Sequence, residues 1–354
     1  IILTGCAAQI HKDEFVAMNE IDSIIGNKEK LESKTYKEIK ESNDRINKVG
    51  DIFEHSQAIS PIIKKVENRI RGFVQIQNGC DHRCTFCIIP YGRGDSRSVE
   101  PENVVNQIST LLDQGYKEIV LTGVDLTSYG HDLENKPNLA TLVSHILFSI
   151  PNLKRLRLSS LDVAEIDKNL MDLIKYEKRI LPHIHLSLQA GDNMILKRMK
   201  RRHLRDDAIS VINEIRSVRS EVVFGADIIA GFPTENDEMF QNTVDLIEDC
   251  NITFLHIFPF SPREGTPAAR MPQVDRYTIK KRAKILREIG KKKLLEYYDE
   301  LKNKKINVIV EDKGRGRSDT FAKVEVDNNL NNGQIVKMIV TGRNQVGLTG
   351  NIVV

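Results

Sequence analysis

Gly79-Cys80-Asp81-His82-Arg83-Cys84-Thr85-Phe86-Cys87 is the most informative segment of this chain. Its three cysteines stand at C-x3-C-x2-C spacing, and Phe86 directly precedes the last of them. Three thiolates this close in sequence can hold one metal centre. Because a 4Fe-4S cluster normally takes four thiolates, three ligands indicate either a missing cysteine or an iron that is left open for a substrate.

Two other uses of these cysteines have to be weighed. Zinc needs a fourth ligand, and His82 is the only candidate nearby. Since His82 stands between Cys80 and Cys84, it cannot easily complete a tetrahedron with them. The sequence holds no second C-x2-C pair that would complete a zinc ribbon. We therefore expect an iron–sulfur cluster, with zinc and purely structural cysteines as the alternatives.

Length and composition fit a multidomain protein of the cytoplasm. The 354 residues, 40% of them hydrophobic, suffice for two or three domains with real cores. A net charge of +3 is too small to indicate a partner. Five cysteines, three of them clustered, suit a metal site better than a secreted disulfide framework. No run of about 18 apolar residues and no signal peptide is visible, so we expect no membrane contact.

The chain opens with Ile1-Ile2-Leu3-Thr4-Gly5-Cys6, which predicts an apolar strand that runs into a glycine turn. Since a buried strand rarely opens a complete domain and no initiator methionine is present, we expect an upstream piece to be missing. Residues 9–18 predict a helix and residues 21–25 a short strand, as at the end of a small α/β domain. Residues 35–50 are polar and indicate a linker or a surface helix, and residues 54–67 lead into the next domain.

Strands and helices alternate from residue 73 onward. Six runs predict strands, at residues 73–77, 118–122, 153–158, 183–188, 222–229 and 252–258. Helices are predicted at residues 101–114, 139–148, 164–176, 194–199, 206–218, 237–249 and 276–302. Such alternation predicts a parallel sheet. Six units predict an α/β fold of the open (β/α)6 partial-barrel type, with its site at the C-terminal ends of the strands.

The end of the chain has a different pattern. Short β runs, separated by glycines, occupy residues 306–310, 320–326, 335–341 and 348–354. A tail of this size predicts a small antiparallel β-barrel. We therefore expect three domains. Residues 1–50 are the end of a small α/β domain with a linker, residues 66–302 the partial barrel, and residues 303–354 the β-barrel.

Several candidate binding residues follow the predicted strands. Gly123 permits close backbone approach after the second strand, and Asp125 beside it is hypothesised to accept a proton. Gln189 ends the fourth strand, where it can bind a ligand or simply cap the loop. Residues 225–235 are either a ligand-binding turn or an ordinary strand-to-helix turn, and their candidate residues are Asp227 and Gly231.

The remaining cysteines and two histidines have mainly structural explanations. His183 and His185 alternate with apolar residues on one strand, so both face the same way and core roles are expected. Cys250 has the neighbours of a buried small hydrophobe. Cys6 follows a strand on a tight turn, as a metal ligand would, although a lone cysteine is structural by default.

Basic residues cluster near the predicted site. Residues 197–205 form a basic stretch that faces either solvent or the phosphates of a nucleic acid. A second basic surface lies within residues 280–293, near the β-rich end. The candidates for contact with an anionic substrate such as RNA are Arg93, Arg97, Lys200, Arg201, Arg202 and Arg263.

These motifs resemble those of a known family. The cysteine spacing, with Phe86 before Cys87, resembles the signature of radical S-adenosylmethionine enzymes. Over nearly its whole length the chain resembles the methylthiotransferases of that class. Residues 3–9 resemble their third N-terminal cysteine motif, and residues 79–97 resemble their cluster loop. Residues 261–267 resemble the segment after strand six, and residues 303–354 resemble the RNA-binding TRAM domain. Residues 90–98 and 185–203 most resemble the branch that acts on threonylcarbamoyladenosine in tRNA. The branches for isopentenyladenosine and for ribosomal protein S12 are the alternatives.

The resemblance implies a reaction and its cofactors. A 4Fe-4S cluster on Cys80, Cys84 and Cys87 would bind S-adenosylmethionine, whose cleavage gives a radical that removes hydrogen from carbon 2 of the modified adenine. A second, auxiliary 4Fe-4S cluster, with Cys6 among its ligands, would supply the methylthio group, and a second S-adenosylmethionine its methyl. The cofactor-binding residues implied are Cys80, Cys84, Cys87, Phe86, Gly123, Gln189, Asp227 and Gly231.

The resemblance also implies partners and exposes one departure. The partners are the tRNA anticodon loop, whose unstacked bases can enter a pocket, and an electron donor such as flavodoxin or ferredoxin; the protein would be a monomer. The family's N-terminal domain supplies three cysteines to the auxiliary cluster, whereas this sequence has only Cys6 before Cys80. The chain as given is therefore expected not to hold that cluster by cysteines alone.

Two competing hypotheses of function are considered. One is a radical enzyme that acts on a small molecule, and the other is an RNA-binding protein with a structural metal site.

Overall fold

The computed structural model describes residues 1–42, 44–54, 69–345 and 347–353. The predicted connection at residues 54–67 lies outside these ranges except for its first residue. The described chain forms an N-terminal α/β unit, a core of parallel strands and helices, and a C-terminal β-barrel. Within the described ranges, no helix has both the length and the apolar character needed to cross a bilayer.

The N-terminal unit is a small parallel sheet with three helices. In chain order its elements are β1 (Ile2–Thr4), α1 (Cys6–Ile10), α2 (Lys12–Val16), β2 (Ser23–Ile25), α3 (Ser33–Glu41) and β3 (Ile46–Lys48), and the strand order is β1-β2-β3. The helix predicted at residues 9–18 is interrupted at His11, because its backbone (φ −112°, ψ 38°) leaves the helical region. Of the linker or surface helix predicted at residues 35–50, the helix is present as α3, whereas the prediction is wrong at its end, where β3 pairs with the buried β2.

The core alternates strands and helices, as predicted. Its strands are β4 (Arg71–Gln75), β5 (Gln77–Asn78), β6 (Arg97–Ser98), β7 (Glu118–Thr122), β8 (Leu156–Leu158), β9 (His183–Gln189), β10 (Val223–Ala230) and β11 (Phe254–Pro259). Its helices are α4 (Ile89–Arg93), α5 (Pro101–Asp113), α6 (Leu139–Ser149), α7 (Lys168–Tyr176), α8 (Asn193–Met199), α9 (Arg205–Val218), α10 (Asp237–Asp249) and α11 (Arg276–Glu300).

Two parallel sheets adjoin to form an open barrel wall. One has the order β4-β7-β8 and the other β9-β10-β11. Parallel bridges from Leu156 to Ile180 and from Leu161 to Leu186 connect the β8 side to the β9 side. The predicted α/β class and the open six-stranded partial barrel are therefore confirmed. Because all six strands are parallel, the loops after their C-terminal ends lie at one mouth of the barrel.

The helices start where polar side chains cap them. Asparagine or aspartate side chains accept a backbone N–H of the first turn at five helix starts, which satisfies donors that the helix itself leaves open. These caps are Asn138, Asp167, Asp192, Asn236 and Asp275. The helices so fixed cover the outer face of the sheet, and one apolar cluster fills the space between them.

The C-terminal residues close into a five-stranded barrel. Its strands are β12 (Lys305–Asp312), β13 (Arg315–Ser318), β14 (Lys323–Glu325), β15 (Ile335–Arg343) and β16 (Leu348–Val353), in the order β12-β13-β14-β16-β15. The predicted small β-barrel is confirmed, although β13 was not predicted. The strand predicted at residues 320–326 begins only at Lys323, because Phe321 takes a left-handed turn conformation (φ 72°).

This β-barrel packs against the N-terminal ends of the core strands. The ring of Phe321 stacks on His183, the first residue of β9, with centroids 4.7 Å apart. The guanidinium of Arg157 lies over the same ring and donates to the backbone oxygens of Ser318 and Asp319, both at 3.0 Å. One end of the core is thereby covered, and the mouth at the other end is where a site can form.

Candidate active site

The three cysteines lie on the loop that follows β4, at the mouth of the barrel. β5 and β6 pair antiparallel on either side of this loop. Its backbone is bound to three separate segments: Cys80 N donates to Gly94 O (3.1 Å), Thr85 N to Met199 O (3.1 Å), and Ala268 N to Thr85 O (2.9 Å). The loop is therefore fixed by segments that lie far apart in sequence.

Two residues before the first cysteine shape the loop. Gly79 has φ +81°, and a Cβ there would lie 1.8 Å from the backbone oxygen of Asp95, so the turn requires glycine. Gln77 is fully buried. Its Nε2 donates to Gly79 O (2.8 Å) and Ser96 Oγ (2.9 Å), and its Oε1 accepts from Asp125 N (2.9 Å). Gln77 thus ties the cysteine loop to the loop that follows β7.

The three thiols are close enough to influence one another. Burial is the main cause that raises the pKa of Cys80 to about 12, and the charges of Cys84 and Cys87 add to the rise. Burial also raises the pKa of Cys87. Nη1 of Arg201 lies 3.9 Å from Sγ of Cys84. Since metal binding takes thiolates, three convergent sulfur ligands with a cation beside them fit an iron–sulfur cluster with one open iron.

A polar cluster, here called the mouth cluster, lies beside the thiols and consists of His82, Asp125, Thr127, Ser128 and Glu165. Nε2 of His82 is 2.5 Å from Oδ2 of Asp125 and 3.6 Å from Oε2 of Glu165. Hydrogen bonds to these carboxylates, Asp125 first, raise the pKa of His82 to about 10. Ser128 Oγ donates to Asp125 Oδ2 and Thr127 Oγ1 to Glu165 Oε2, both at 2.7 Å. In this arrangement Nε2 of His82 is engaged by two carboxylates.

Asp125, the hypothesised proton acceptor, is already well bound. Its Oδ2 lies 3.7 Å from Sγ of Cys80 and is shared with His82 and Ser128. Its backbone N–H is held by Gln77. These contacts place Asp125 next to the cysteine loop, and proton acceptance by it stays a prediction.

The turn after β10 is held by a buried ion pair. Gly231 has φ +74°, and its N–H donates to Oε2 of Glu235 (2.9 Å). Nη1 of Arg282 donates to the same oxygen and to Glu235 O, both at 2.9 Å. Burial raises the pKa of Glu235 to about 7, and Arg282 opposes this rise. Next to this turn, the rings of Phe86 and Phe232 meet edge to face with centroids 6.4 Å apart, so the cysteine loop contacts the β10 turn.

The other predicted cofactor residues do not all lie at the mouth. Gly123 directly follows β7 and Gln189 ends β9, so both lie at the same end of the barrel as the cysteine loop. Asp227 lies deeper, three positions before the end of β10. Its Oδ1 is bound by Nε2 of His185 (3.0 Å) and by Nδ1 of His256 (3.2 Å). Asp227 is therefore part of a histidine cluster inside the barrel, and His185 belongs to that cluster rather than to an apolar core.

The predicted RNA contacts differ in exposure. Arg97 is buried. The side chain of Arg201 is only 7% exposed, and its Nη2 binds Asp162 Oδ2 (2.9 Å) and Ser187 O (2.7 Å). Because a buried guanidinium cannot reach a phosphate on the surface, the prediction of RNA contact does not fit Arg97 and Arg201. Lys200 and Arg263 are exposed, and Arg202 is half-exposed with its Nη2 paired to Oε1 of Glu165 (2.9 Å).

Cys6 lies at the start of α1, which packs against α4 of the core. Its Sγ accepts hydrogen bonds from Nε of Arg93 (3.1 Å) and Nδ2 of Asn27 (3.6 Å). A Cβ on Gly92 would lie 3.0 Å from Cβ of Cys6, so glycine allows this close approach. A sulfur with two donors beside it is suited to carry negative charge, as a metal ligand does. Arg93, predicted to contact RNA, is occupied here instead.

Sequence reasoning missed several residues of the site. Asp162 and Glu165 follow β8 and reach the mouth only because the fold brings their loop there. Gln77 and His256 gave a local signal, because each is a polar residue in or next to a predicted apolar strand. Cys250, in contrast, is buried as expected.

Comparisons with known proteins agree with this site. The model of the Radical SAM superfamily matches residues 74–247. A solved structure with a similar fold is the radical S-adenosylmethionine methyltransferase TsrM from Kitasatospora setae, with cobalamin and a [4Fe-4S] cluster bound (TM-score 0.57, 17% identity, 76% of this chain and 56% of that chain). The fold and the three-thiol loop define a radical S-adenosylmethionine enzyme.

Curated relatives narrow this class. The threonylcarbamoyladenosine tRNA methylthiotransferase of Rickettsia prowazekii is 47% identical over 342 residues, 97% of this chain and 80% of the relative. That of Aquifex aeolicus is 36% identical over 96% of this chain and 83% of the relative. The tRNA-2-methylthio-N(6)-dimethylallyladenosine synthase of Neorickettsia sennetsu is 34% identical over 96% of this chain and 74% of the relative. The chain belongs to the radical S-adenosylmethionine tRNA methylthiotransferase family. It is accordingly a transferase that uses an iron–sulfur cluster and S-adenosylmethionine.

Proposed function

We propose that this protein inserts a methylthio group at carbon 2 of N6-threonylcarbamoyladenosine beside the anticodon of tRNA. The observation that carries the proposal is the 47% identity, over 97% of the chain, with a relative named for this substrate. The dimethylallyl adenosine, which is the isopentenyl form, is the second candidate, because a relative named for it is 34% identical over 96% of the chain.

Cys80, Cys84 and Cys87 would hold the 4Fe-4S cluster that binds S-adenosylmethionine. Bound there, these cofactors supply the radical chemistry that activates an otherwise inert carbon–hydrogen bond. The chain holds them in place: Gln77 fixes the loop, and Phe86 with Phe232 closes one side of it against water. Gly123, Gln189 and Gly231 offer backbone and amide groups to S-adenosylmethionine at the same mouth.

Cys6 would be one ligand of a second, auxiliary cluster, which this sequence alone does not complete because Cys6 is its one cysteine before Cys80. Arg93 and Asn27 donate to its sulfur, and such charge-assisted hydrogen bonds stabilise a thiolate that binds metal. Because α1 packs on α4, this ligand sits against the helix that follows the cysteine loop.

The tRNA contacts come from exposed basic residues and from the β-barrel. Lys200, Arg202 and Arg263 lie near the mouth and can contact the phosphates of an anticodon loop. Residues 303–354 act as a TRAM-like RNA-binding domain beside the core at 66–302, and residues 1–50 belong to the N-terminal domain. The protein works in the cytoplasm as a monomer and takes electrons from a flavodoxin or a ferredoxin.

Mass spectrometry of tRNA nucleosides tests this function. Cells that lack the full-length gene are compared with cells that regain it, either unchanged or as the Cys84→Ala variant. We expect loss of the methylthio form of threonylcarbamoyladenosine, its return with the unchanged gene, and no return with the variant. Loss of methylthio-isopentenyladenosine with the threonylcarbamoyl product untouched would overturn the substrate assignment in favour of the second candidate.

A further inference from the structure

The edge strand β11 presents an aromatic ring and an imidazole to the inside of the barrel. Along β11, Leu255 and Ile257 pack against the apolar core, so Phe254, His256 and Phe258 face the opposite side. Phe254 is occupied at the lower end, where its ring meets His183. Among the described strands β11 pairs only with β10, so its other edge borders the open side of the barrel.

His256 and Phe258 are exposed at this open side. The side chain of His256 is 60% exposed, and Phe258 is 51% exposed. Exposed aromatic rings are typical stacking platforms for nucleic-acid bases. Asp227 and His256 are paired in register three positions before the ends of β10 and β11. Three residues of strand span about 10 Å, so a base and its substituent fit between this level and the mouth.

The orientation of His256 is set by its neighbours. Its Nδ1 is 3.2 Å from Oδ1 of Asp227, which Nε2 of His185 also binds at 3.0 Å. The other oxygen of Asp227 accepts from Ser160 Oγ (3.2 Å), which itself accepts from Ser187 Oγ (3.0 Å). With Asp227 held by three side chains, Nδ1 of His256 is committed to it and Nε2 points away from it. In the described part of the chain, Asp227 is the one hydrogen-bond partner of His256.

The charges around His256 favour an anionic partner. Asp227 on β10 raises the pKa of His256 through their hydrogen bond. The other titratable group against it is His185 on β9, whose ring centroid is 4.6 Å away. From α11, Arg287 reaches β11 at the backbone oxygen of Ile257. A histidine whose pKa is raised and whose side chain is 60% exposed can, when protonated, donate a charge-assisted hydrogen bond to a carboxylate.

We propose that Phe258 and His256 form the subsite that recognises the modified base: Phe258 stacks on the adenine, and Nε2 of His256 donates to the carboxylate of the threonylcarbamoyl group. This inference rests on the proposed function. The isopentenyl group carries neither charge nor hydrogen-bonding atoms, so the same imidazolium gains nothing from it and loses hydration. His256 is thus a specificity-determining residue between the two substrate branches.

A binding measurement without turnover tests the subsite. Fluorescence anisotropy compares anticodon stem-loop RNAs with threonylcarbamoyladenosine, isopentenyladenosine or plain adenosine, on the cluster-loaded full chain without reductant. The variants are His256→Gln and Phe258→Leu, with His145→Gln, a surface histidine paired with Glu102, as the matched control. Cluster absorption and thermal unfolding are recorded for each variant, so that a folding defect is recognised as such.

We expect His256→Gln to weaken binding of the threonylcarbamoyl RNA about tenfold, the size of one hydrogen bond to a charged group, and to leave the other two RNAs unchanged. Phe258→Leu should weaken the binding of all three RNAs, and His145→Gln should change the binding of none of them. The preference of the unchanged protein should also fall as pH rises through the pKa of His256, whereas that of His256→Gln should not.

The failure of this inference is distinguishable from failure of the proposed function. If the unchanged protein binds threonylcarbamoyl RNA no better than plain RNA, the substrate assignment itself fails. If the unchanged protein discriminates between the RNAs and His256→Gln discriminates equally well, the subsite is overturned while the function stands.

A cation site is the alternative use of these residues. The ligand atoms of His185, Asp227 and His256 lie within 4.8 Å of one another. Calorimetric binding of one Zn²⁺ or Mn²⁺ that His256→Gln abolishes, without change in RNA preference, would therefore also overturn it and assign a cation site.

Discussion

Nη1 of Arg201 lies 3.9 Å from Sγ of Cys84, while Nη2 of the same guanidinium binds Asp162 at 2.9 Å. With its side chain 7% exposed, Arg201 places a fixed positive charge beside the cysteine loop and inside the protein. A charge in this position interacts strongly because water screens it poorly. Arg201 is therefore a buried charge beside the cysteine loop rather than a surface group.

Replacing Arg201 by Met should lower the reduction potential of the bound cluster. A nearby positive charge stabilises the cluster most when it has gained an electron, since potentials depend on net charge and on hydrogen bonds to the sulfurs. We expect a fall on the order of tens of millivolts, measured by a redox titration followed by electron paramagnetic resonance. Arg201→Lys keeps the charge and should restore most of the potential. Arg205→Met removes an arginine that binds Asp249, and it should leave the potential unchanged.

Removal of one loop thiol should prevent cluster binding. Cys84→Ala leaves two thiolates on the loop, too few to hold a 4Fe-4S cluster, so iron should fall from about four atoms per chain to near zero. Iron and sulfide analysis with visible absorption measures this after anaerobic reconstitution. Cys250→Ala removes a buried cysteine outside the loop and should retain the iron. Retention of a full cluster by Cys84→Ala would mean that the loop is not its ligand set.

The sequence was sufficient to find the cysteine loop, because its ligands are three residues of one type at short spacing. It was also sufficient for the strands and helices of the core, whose apolar periodicity is strong. It could not reveal the contacts of Gln77 with Asp125 or of Thr127 with Glu165, because these partners are 48 and 38 residues apart. Contacts of that kind are set by the packing of whole elements and leave no local pattern.

Short elements were lost for a related reason. β3 and β13 have three and four residues and few apolar side chains, so pairing with neighbouring strands decides their conformation. The role of Arg201 was misjudged because a basic stretch has the same composition whether its members are exposed or buried against carboxylates. The local signal of His256 was missed because a polar side chain is also expected on the exposed face of an ordinary half-buried strand.

Removal of Glu118 should strongly destabilise the protein. Its carboxylate is fully buried and binds Nη2 of Arg155 (2.9 Å) and Nε of Arg157 (2.6 Å). Glu118→Ala would leave the buried Arg157 without a counter-charge and Arg155 with Asp319 alone, at a cost of about 3–5 kcal/mol in the free energy of unfolding. Urea unfolding followed by circular dichroism measures the change. Glu102→Ala removes an exposed carboxylate and should cost less than about 1 kcal/mol; equal losses for the two variants would contradict the argument.

Gly231→Ala should disturb the turn after β10 more than positive φ alone explains. Gly231 has φ +74°, and a Cβ there would lie 2.6 Å from Cγ1 of Ile279. Gly115 has φ +94° with nothing within 4 Å of such a Cβ, so Gly115→Ala isolates the backbone strain, about 1 kcal/mol. We expect a larger loss of unfolding free energy for Gly231→Ala. Gly231→Ala should also weaken the binding of S-adenosylmethionine measured by calorimetry, whereas Gly115→Ala should not. Equal binding by the two variants would contradict the assignment of this turn to the cofactor.

The pair of Asp227 and His256 should make stability depend on pH in a defined window. Hydrogen bonding to Asp227 raises the pKa of His256. For Asp227, burial raises the pKa, but hydrogen bonds from His185 and His256 outweigh burial and hold the pKa of Asp227 well below its usual range. A histidine with a raised pKa contributes stability that is complete below about pH 6.5 and is lost as pH rises through the folded pKa. An aspartate with a lowered pKa contributes stability that is present above about pH 3.9 and is lost as pH falls through the folded pKa. The pair is therefore strongest between about pH 4 and about pH 6.5.

Urea unfolding of the unchanged protein and of Asp227→Asn, at several pH values between these limits and above them, measures the contribution of the pair. The difference in unfolding free energy should be largest in the acidic part of the range and should shrink as His256 loses its proton. Asp245→Asn, an exposed aspartate of α10 that accepts from Gln241, is the matched control and should show no such trend. A difference that stays constant across this range would mean that His256 does not carry a charge beside Asp227. It would also remove the cation on which recognition of the threonylcarbamoyl carboxylate depends.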